Sequence, residues 1–373
     1  MEKKNILKAT VSVIVAIAFA LPVASSVAND EIAMSGIDEM TFAGTTIYID
    51  DSNTEGPWNG TIDYPYQYIQ DGIDNANAGD TIIVMPGNYN EDLNIDKANL
   101  NIRSESGKDI TTIKLTGVVK YGIELNAGAI NTTIGGEAGH GFTIMGPDTA
   151  PAGSFLISVN NAPSGIEISY NTIDTTGIAS IGISVGAAGS SDLTITHNDF
   201  IGTDSGDGAI WLPHVEVFEV SWNTFTGAGK TNGGYQIETV DIQNATIHNN
   251  TIEDGCMAIA ILASDGAGTY GDTNNVFICD NAVNDSKYGL IIYDADANGN
   301  VANLVANHNT FANGTYGVRI VGDGDQLDED TIDINYNNIY GNTNGFDNPA
   351  AEINATNNYW GHASGPYHPT TNP

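Results

Sequence analysis

The chain has 373 residues, with 11 lysines and arginines against 46 aspartates and glutamates, so its formal net charge is −35. This charge excludes a nucleic-acid-binding protein, because the chain has no basic stripe to neutralise phosphates. Hydrophobic residues make up 41% of the chain, enough for a core, while the charged fraction of 15% is too low for a coiled coil. We therefore expect a folded, strongly acidic protein.

The first segment has the pattern of a secretory signal peptide. Three lysines within residues 2–8 precede an apolar run over residues 9–22. Small residues then predict cleavage after Ala28, which makes residues 1–28 the signal peptide and 29–44 a linker. An uncleaved membrane anchor is the alternative. With cleavage no transmembrane anchor remains, and we expect a secreted protein, either extracellular or at the cell surface.

Residues 45–110 differ from the rest of the chain and predict a capping module followed by the first coils. The string TIYIDD is typical of a strand, and DTIIVMPGNY of a second strand before a Pro-Gly turn. Between them, aromatic and apolar residues recur at helical spacing, namely Tyr66, Tyr68, Ile69 and Ile73. A strand and an amphipathic helix are therefore expected to cover one end of the domain.

The strongest signal is a repeat of the form apolar-x-apolar-x-x-Asn-x-apolar. Its eight asparagines recur on average about every 27 residues, inside the range typical of solenoids. They are Asn171, Asn198, Asn223, Asn250, Asn281, Asn309, Asn337 and Asn358. Apolar and polar residues alternate, and a second strand follows a glycine in most repeats. The pattern predicts an all-β fold, a parallel β-helix with coils of about 27 residues, over 111–361, with a tail at 362–373.

Stacked coils place equivalent residues in columns about 4.8 Å apart. The apolar column after the asparagine is expected to fill the interior. It consists of Ile173, Phe200, Phe225, Ile252, Val283, Phe311, Ile339 and Trp360. The asparagines are expected at a tight turn, in the left-handed conformation, where each amide bonds to the identical amide of the next coil.

Two stretches of the sequence resemble a known superfamily. The N-terminal stretch TIYIDDSNTEGPWNGTIDYPYQYIQDGIDNANAGDTIIVMPGNYNEDLNIDKANLNIRSESG and the closing NNYWGHASGP are similar to secreted β-helix proteins of the pectin-lyase-like superfamily. The likeness covers residues 45–368 and is nearest to cell-surface proteins of the NosD type and to carbohydrate-binding and sugar-hydrolase families. It implies a right-handed, single-stranded parallel β-helix. Such proteins include polysaccharide lyases, hydrolases and esterases as well as adhesins and coat proteins, so the resemblance does not fix an activity.

Complete catalytic motifs of those enzymes are missing from the sequence. The string Gly139-His140-Gly141 occurs, but no acidic motif precedes it, and Arg319 is followed by Ile-Val rather than Ile-Lys. Aligned on the glycine before each second strand, the outward positions form a column without carboxylates. They read Ser184, Ile210, Gln236, Ala260, Ile291 and Arg319. Arg319 is the one candidate for a catalytic base, and a surface arginine paired with an aspartate is the alternative.

Acidic loops follow the second strand in three consecutive coils. Their carboxylates and amides are candidate calcium ligands, because Ca²⁺ prefers hard oxygen donors. The candidates are Asp265, Asp272, Asp294, Asp296, Asn298, Asp323, Asp325, Asp328 and Asp330. Asp294, Asp296 and Asn298 resemble the start of a calcium loop, but position twelve is Val305 rather than Glu, which excludes an EF-hand. The alternative is that Asp and Gly simply form turns in an acidic chain.

The residue before the repeat asparagine is aromatic or histidine in three successive coils, namely Tyr170, His197 and Trp222. If exposed, these rings form a shelf for sugar rings, and packing beneath a loop is the alternative. The two cysteines, Cys256 and Cys279, allow at most one disulfide, and the sequence leaves their pairing open.

These observations predict a secreted cell-surface β-helix protein that interacts with glycans or is structural or adhesive, with Ca²⁺ in its acidic loops. The alternative is a polysaccharide lyase or glycoside hydrolase acting on acidic polysaccharide. The expected partner is a polysaccharide or cell-envelope glycan, and nucleic acid is not a partner. End-to-end self-association through the last coil is a further expectation.

Overall fold

The computed structural model describes residues 44–116, 121–147, 154–176, 180–186, 190–202, 208–227, 233–263, 271–294, 300–322, 327–348, 352–362 and 365. The predicted signal peptide and linker, apart from residue 44, lie outside these residues, as does most of the predicted tail. In the described part of the chain, no helix is long and apolar enough to cross a membrane.

Three sheets of parallel strands form a β-solenoid, and each coil contributes one strand to each sheet in turn. The predicted parallel β-helix is therefore confirmed. Sheet 1 comprises Thr46–Ile49, Thr81–Val84, Asn101–Ser104, Thr133–Ile134, Glu167–Ser169, Leu193–Thr196, Phe218–Ser221, Gln243–His248, Thr273–Cys279, Val301–Asn307 and Ile332–Asn335. Sheet 2 comprises Gly87–Asn90, Thr111–Lys114, Thr143–Met145, Thr172–Asp174, Asp199–Ile201, Thr224–Thr226, Thr251–Glu253, Ala282–Asn284, Thr310–Ala312 and Asn338–Tyr340. Sheet 3 comprises Leu93–Ile95, Tyr121–Leu125, Ser154–Val159, Ser180–Val185, Ile210–Pro213, Tyr235–Val240, Met257–Leu262, Tyr288–Asp294, Tyr316–Gly322 and Asn344–Asp347.

The predicted capping helix is present as Ile69–Asn75, between the first two strands of sheet 1. The Glu91 carboxylate accepts hydrogen bonds from the backbone N–H groups of Ile69 and Gln70, at 2.8 and 2.9 Å. At the other end, the Lys97 ammonium donates to three backbone carbonyls, those of Ile73, Asp74 and Ala76. Coil residues thus satisfy both ends of this short helix, with charges of the sign that each end favours. A single 3₁₀ turn, Glu329–Thr331, occurs near the last coils.

The predicted interior column is confirmed from Ile173 to Ile339, all of whose members are buried. The Phe200 and Phe225 rings stack in neighbouring coils, with centroids 4.7 Å apart and planes 5° from parallel. Trp360 packs against the core but is only partly buried. Beside it, Phe346 and Ile353 line an acidic cavity of about 690 Å³. The predicted end-to-end association at this last coil stays a prediction.

The asparagine ladder is also confirmed, since each side-chain amide donates to the carbonyl oxygen of the next. The predicted left-handed conformation of the asparagines is wrong. It belongs to the residue before each asparagine, with φ of 61° at Tyr170 and 57° at His197. The preceding residue makes the turn, so that the asparagine can point inward and bond to backbone carbonyls. Cys256 and Cys279, whose pairing the sequence left open, are both free thiols.

Candidate functional site

The outer face of sheet 3 carries a groove that the predicted outward column missed. Strand pairing aligns Ser184 with Trp211, and Trp211 with Glu238. The predicted members Ile210 and Gln236 are instead completely buried. Compared with Gly182 and Ile183, one extra residue separates the glycine from the inward isoleucine in the Trp211 coil and two do so in the Glu238 coil. Alignment on the glycine therefore slips by one position at Ile210 and by two at Gln236. A slip of one residue exchanges the two faces of a strand.

Three aromatic rings form one wall of this groove. The Tyr121 and Phe155 rings stack with centroids 5.5 Å apart and planes 8° from parallel. The Trp211 ring lies 6.3 Å from Phe155, although their strands are separated by the intervening strand Ser180–Val185. Strands two coils apart are separated by about 9.6 Å, so the indole reaches back across the coil of Ser184. The wall is therefore continuous over four coils.

The floor of the groove is polar. Ser158 donates to the side-chain oxygen of Asn160 at 2.9 Å, and the amide of Asn160 donates to Glu124 at 3.0 Å. The Ser184 hydroxyl is buried and has no hydrogen-bond partner in the described part of the chain. His214 closes one end, with its Nδ1 2.8 Å from a carboxylate oxygen of Asp241. Ser158, Asn160, Ser184 and His214 line the groove together with the aromatic wall, and its volume is about 210 Å³.

Glu238 flanks the groove, directly beside Trp211 in the neighbouring coil. On its other side lies Ala260, a side chain without polar atoms. Burial raises the pKa of the Glu238 carboxyl to about 7, because nearby groups supply neither a hydrogen bond nor an opposite charge to stabilise the ionised form. This carboxyl therefore holds its proton close to neutral pH, which is the property required of a general acid.

Arg319, the predicted catalytic base, occupies the same outward column of sheet 3, four coils from Trp211. Its guanidinium carbon lies 4.7 Å from the centroid of the Tyr316 ring, and Nη1 donates to the Tyr288 hydroxyl at 3.0 Å. Nε lies 3.2 Å from a carboxylate oxygen of Asp347. This geometry matches the alternative of a paired arginine, and nothing in it supports a free base.

The structure describes only some of the predicted calcium ligands. Asp265, Asp296, Asn298, Asp323 and Asp325 lie outside the described residues, and Asp294 ends a strand of sheet 3. Asp272 accepts a hydrogen bond from the backbone N–H of Asn300 at 3.0 Å. Asp328 and Asp330 are exposed at the 3₁₀ turn. The described ranges contain no cluster of three or more His, Cys, Asp or Glu suited to a metal ion, and the calcium site stays a prediction.

The structure brings together the three predicted sugar-binding rings, at the turn between sheets 1 and 2. The rings of Tyr170 and His197 stack at 4.6 Å, and those of His197 and Trp222 at 6.0 Å. His197 and Trp222 are exposed and Tyr170 is partly exposed. At such separations near-parallel rings face one another rather than lie side by side. The rings therefore form a stack and not a flat shelf, which leaves free faces only at its two ends.

Sequence reasoning missed the groove residues Tyr121, Phe155 and Trp211 and the flanking Glu238. The signal that could have found Trp211 and Glu238 is the buried isoleucine at the centre of these sheet 3 strands. Pairing aligns Ile157 with Ile183, and Ile183 with Ile210. Aligning these isoleucines instead of the glycines places Trp211 and Glu238 on the outer face.

Several solved structures resemble this chain at low sequence identity. The chain is similar to a polygalacturonase from Erwinia carotovora at 15% identity and a TM-score of 0.49, over 85% of this chain and 84% of that one. The chain is also similar to an alginate lyase from Paenibacillus, at 14% identity and a TM-score of 0.37, over 84% of this chain and 99% of that one. Similarity to a lacto-N-biosidase from Eubacterium ramulus has 12% identity and a TM-score of 0.44, over 85% of this chain and 67% of that one.

No protein-family model matches the sequence, and comparison with curated proteins gave no match. Identities of 15% or less with TM-scores below 0.5 do not carry an activity from one protein to another. The parallel β-helix implied by the resemblance in sequence is established by the three sheets themselves.

Proposed function

We propose that the protein binds a neutral glycan and that one sugar ring occupies the groove on sheet 3. The observation that carries this proposal is the pairing of an aromatic wall, Tyr121, Phe155 and Trp211, with a floor of hydroxyl and amide groups. Sugars present apolar C–H faces together with a rim of hydroxyls, so they need both kinds of surface at once.

The size and the polar groups of the groove agree with one sugar ring. Its volume of about 210 Å³ lies below the roughly 300–1,000 Å³ of pockets for drug-sized ligands. A ligand hydroxyl would give the buried hydroxyl of Ser184 the hydrogen bond that it lacks. Asn160 and Glu124 lie close by and supply an amide and a carboxylate.

Charge selects a neutral glycan over an acidic one. The chain carries a net charge of −35, and neither lysine nor arginine lines the groove in the described residues. A uronate would therefore meet like charge without a counterion. A lyase needs a cation beside the acid, and no lysine or arginine among the described lining residues supplies one. Secretion through the predicted signal peptide would place the groove where cell-envelope glycans occur, in a structural or adhesive role.

Calorimetric titration with neutral and uronate oligosaccharides tests this proposal. We expect binding of at least one neutral probe, weakened about 10-fold or more by Trp211→Ala. Tyr293→Ala is the matched control, since Tyr293 is an exposed ring on the same sheet outside the groove. Binding of uronates alone, or equal losses in both variants, would overturn the proposal.

Glu238 favours glycoside hydrolysis as a second candidate function. A carboxyl that retains its proton near neutral pH, on the residue paired with Trp211, is placed to protonate a glycosidic oxygen while water attacks the anomeric carbon and the glycosidic bond breaks. The test is release of reducing ends from neutral polysaccharides. Loss of this release in Glu238→Gln, but not in Glu253→Gln, would support hydrolysis. A wild-type protein that binds without releasing ends would leave binding as the function.

A further inference from the structure

The turn between sheets 1 and 2 carries a column of left-handed residues that is only partly aromatic. The residue before each ladder asparagine has a positive φ. In chain order the column reads Tyr170, His197, Trp222, Asn249, Asp280, His308, Tyr336 and Asn357. Asparagine and aspartate tolerate this conformation better than bulky residues do. The rings therefore have a role that the backbone does not require.

Two stacks of rings border a gap in this column. The first ends at Trp222, which is 54% exposed. The second begins at His308, whose ring lies 6.0 Å from that of Tyr336 with planes 11° from parallel. Between Trp222 and His308 lie only the short side chains of Asn249 and Asp280. One face of Trp222 and one face of His308 are therefore directed toward this gap.

The gap has the dimensions of stacked sugar rings. Three coil steps separate Trp222 from His308, or about 14 Å at about 4.8 Å per coil. Carbon atoms in contact lie about 3.5–4.0 Å apart, so one pyranose ring fits against each aromatic face with a normal separation between the two sugars.

Polar groups along the gap match sugar hydroxyls. Asp280 is exposed, and the two oxygens of its carboxylate are able to accept hydrogen bonds from sugar hydroxyls. Beside Trp222, the Asn249 amide lies 2.7 Å from Nδ1 of His248, whose Nε2 lies 3.1 Å from a carboxylate oxygen of Glu219. The carboxylates of Asp280 and Glu219 are hydrogen-bond acceptors, and none of the residues named is a lysine or an arginine. Both features favour a neutral sugar over a uronate.

We propose that the gap between Trp222 and His308, with Asn249 and Asp280 as its floor, is a second binding site for neutral pyranose rings. It shares the ligand class of the proposed groove on sheet 3 but none of its residues. The two sites therefore succeed or fail separately. Of the three rings that the sequence predicts to bind sugars, this proposal keeps Trp222, and it adds His308.

The test measures binding of cellotetraose and maltotetraose to the full chain carrying Trp211→Ala, which removes the contribution of the groove. In this background we expect Trp222→Ala and His308→Ala to weaken binding at least fivefold. Tyr170→Ala is the matched control, because the free face of Tyr170 points away from the gap. An equal loss in Tyr170→Ala would assign binding to the whole stack and overturn the proposal.

A second pair of variants fills the gap without removing a ring. Asp280→Tyr and Asp280→His place a ring in a turn that already holds tyrosine and histidine in other coils. We expect both to fold and to weaken binding, because the added ring occupies the sugar position beside His308 and leaves only the position beside Trp222. Unchanged binding in a folded gap-filling variant would overturn the proposal, as would binding of trigalacturonate alone. No binding to the full chain that carries Trp211→Ala would overturn this proposal and leave the groove as the binding site. Binding that is undiminished by Trp211→Ala but lost in Trp222→Ala would overturn the proposed function and leave this site.

Discussion

Asn223 gives two hydrogen bonds to a single atom of Asn250. Its side-chain amide lies 3.1 Å from the Oδ1 of Asn250, and its backbone N–H lies 3.0 Å from the same oxygen. Asn250 in turn donates from its amide to the backbone carbonyl of Val220 and to Asn281, both at 2.9 Å. Each ladder residue thus joins its own coil to both neighbouring coils through buried hydrogen bonds.

Asn250→Ala should therefore destabilise the solenoid strongly. The substitution removes the acceptor of the Asn223 backbone N–H, one of the two acceptors of the Asn223 side-chain amide, and a donor to the Val220 carbonyl. Each buried group left unpaired costs about 1–3 kcal/mol. We expect the free energy of unfolding in urea to fall by about 3 kcal/mol. Asn358→Ala, at the partly buried end of the ladder, is the control and should cost clearly less. Equal losses would contradict a cooperative ladder.

The raised pKa of Glu238 should make stability depend on pH. Its pKa rises from 4.5 to about 7 on folding, so between these values the folded protein holds a proton that the unfolded chain has released. Stability from this group is full below pH 4.5 and falls as the pH rises toward 7, by at most roughly 3 kcal/mol. Glu238→Gln should remove the loss. We expect the unfolding free energy of this variant, relative to wild type, to increase between pH 4.5 and 8.

Arg319→Lys should weaken the last coils without affecting glycan binding. Lysine cannot place a planar guanidinium over the Tyr316 ring while pairing with Asp347. The expected loss is about 1 kcal/mol, the usual size of an exposed cation–π contact. Thermal unfolding and titration with the same neutral sugars measure the two effects. Binding that disappears in a variant of nearly normal stability would revive Arg319 as a functional residue.

Calcium should raise the melting temperature if it binds the acidic loops that follow sheet 3. A ligand bound only by the folded state adds about 2.7 kcal/mol at a hundred times its dissociation constant. We expect unfolding in excess chelator to occur at a lower temperature than in millimolar Ca²⁺. Replacement of Asp294 and Asp296 by asparagine should abolish the difference. An equal melting temperature in the two conditions would contradict calcium binding at these loops.

Cys279 should react slowly with thiol reagents in the folded protein. Burial, together with the charge and hydrogen bond of Asp280, raises the pKa of its thiol to about 11. At pH 8 the thiolate is then roughly 100-fold scarcer than for a free cysteine. In a Cys256→Ala background, labelling should accelerate with rising pH, and Asp280→Asn should speed it at pH 8. A rate equal to that of the unfolded chain would show that the thiol is freely exposed.

The sequence predicted the columns inside the solenoid better than the column on the outer face of sheet 3. The interior phenylalanines and the asparagine ladder follow from local spacing, because one anchor residue in each coil sets both. The sheet 3 strands come later in each coil, after turns of variable length. Counting from a glycine therefore misplaced Trp211 by one position and Glu238 by two, although the buried isoleucines Ile210 and Ile237 marked the correct register.

By itself, the sequence determined the β-solenoid, its coil length, the interior column and the stacking of Tyr170, His197 and Trp222. Equivalent residues in a repeat must stack, whatever the details of the turns. Only the tertiary structure decided that these rings face one another, that Arg319 is held by Tyr316 and Asp347, and that a groove lies beside Glu238. Those relationships depend on strand register and ring orientation, which hydrogen bonds between residues distant in sequence set during packing.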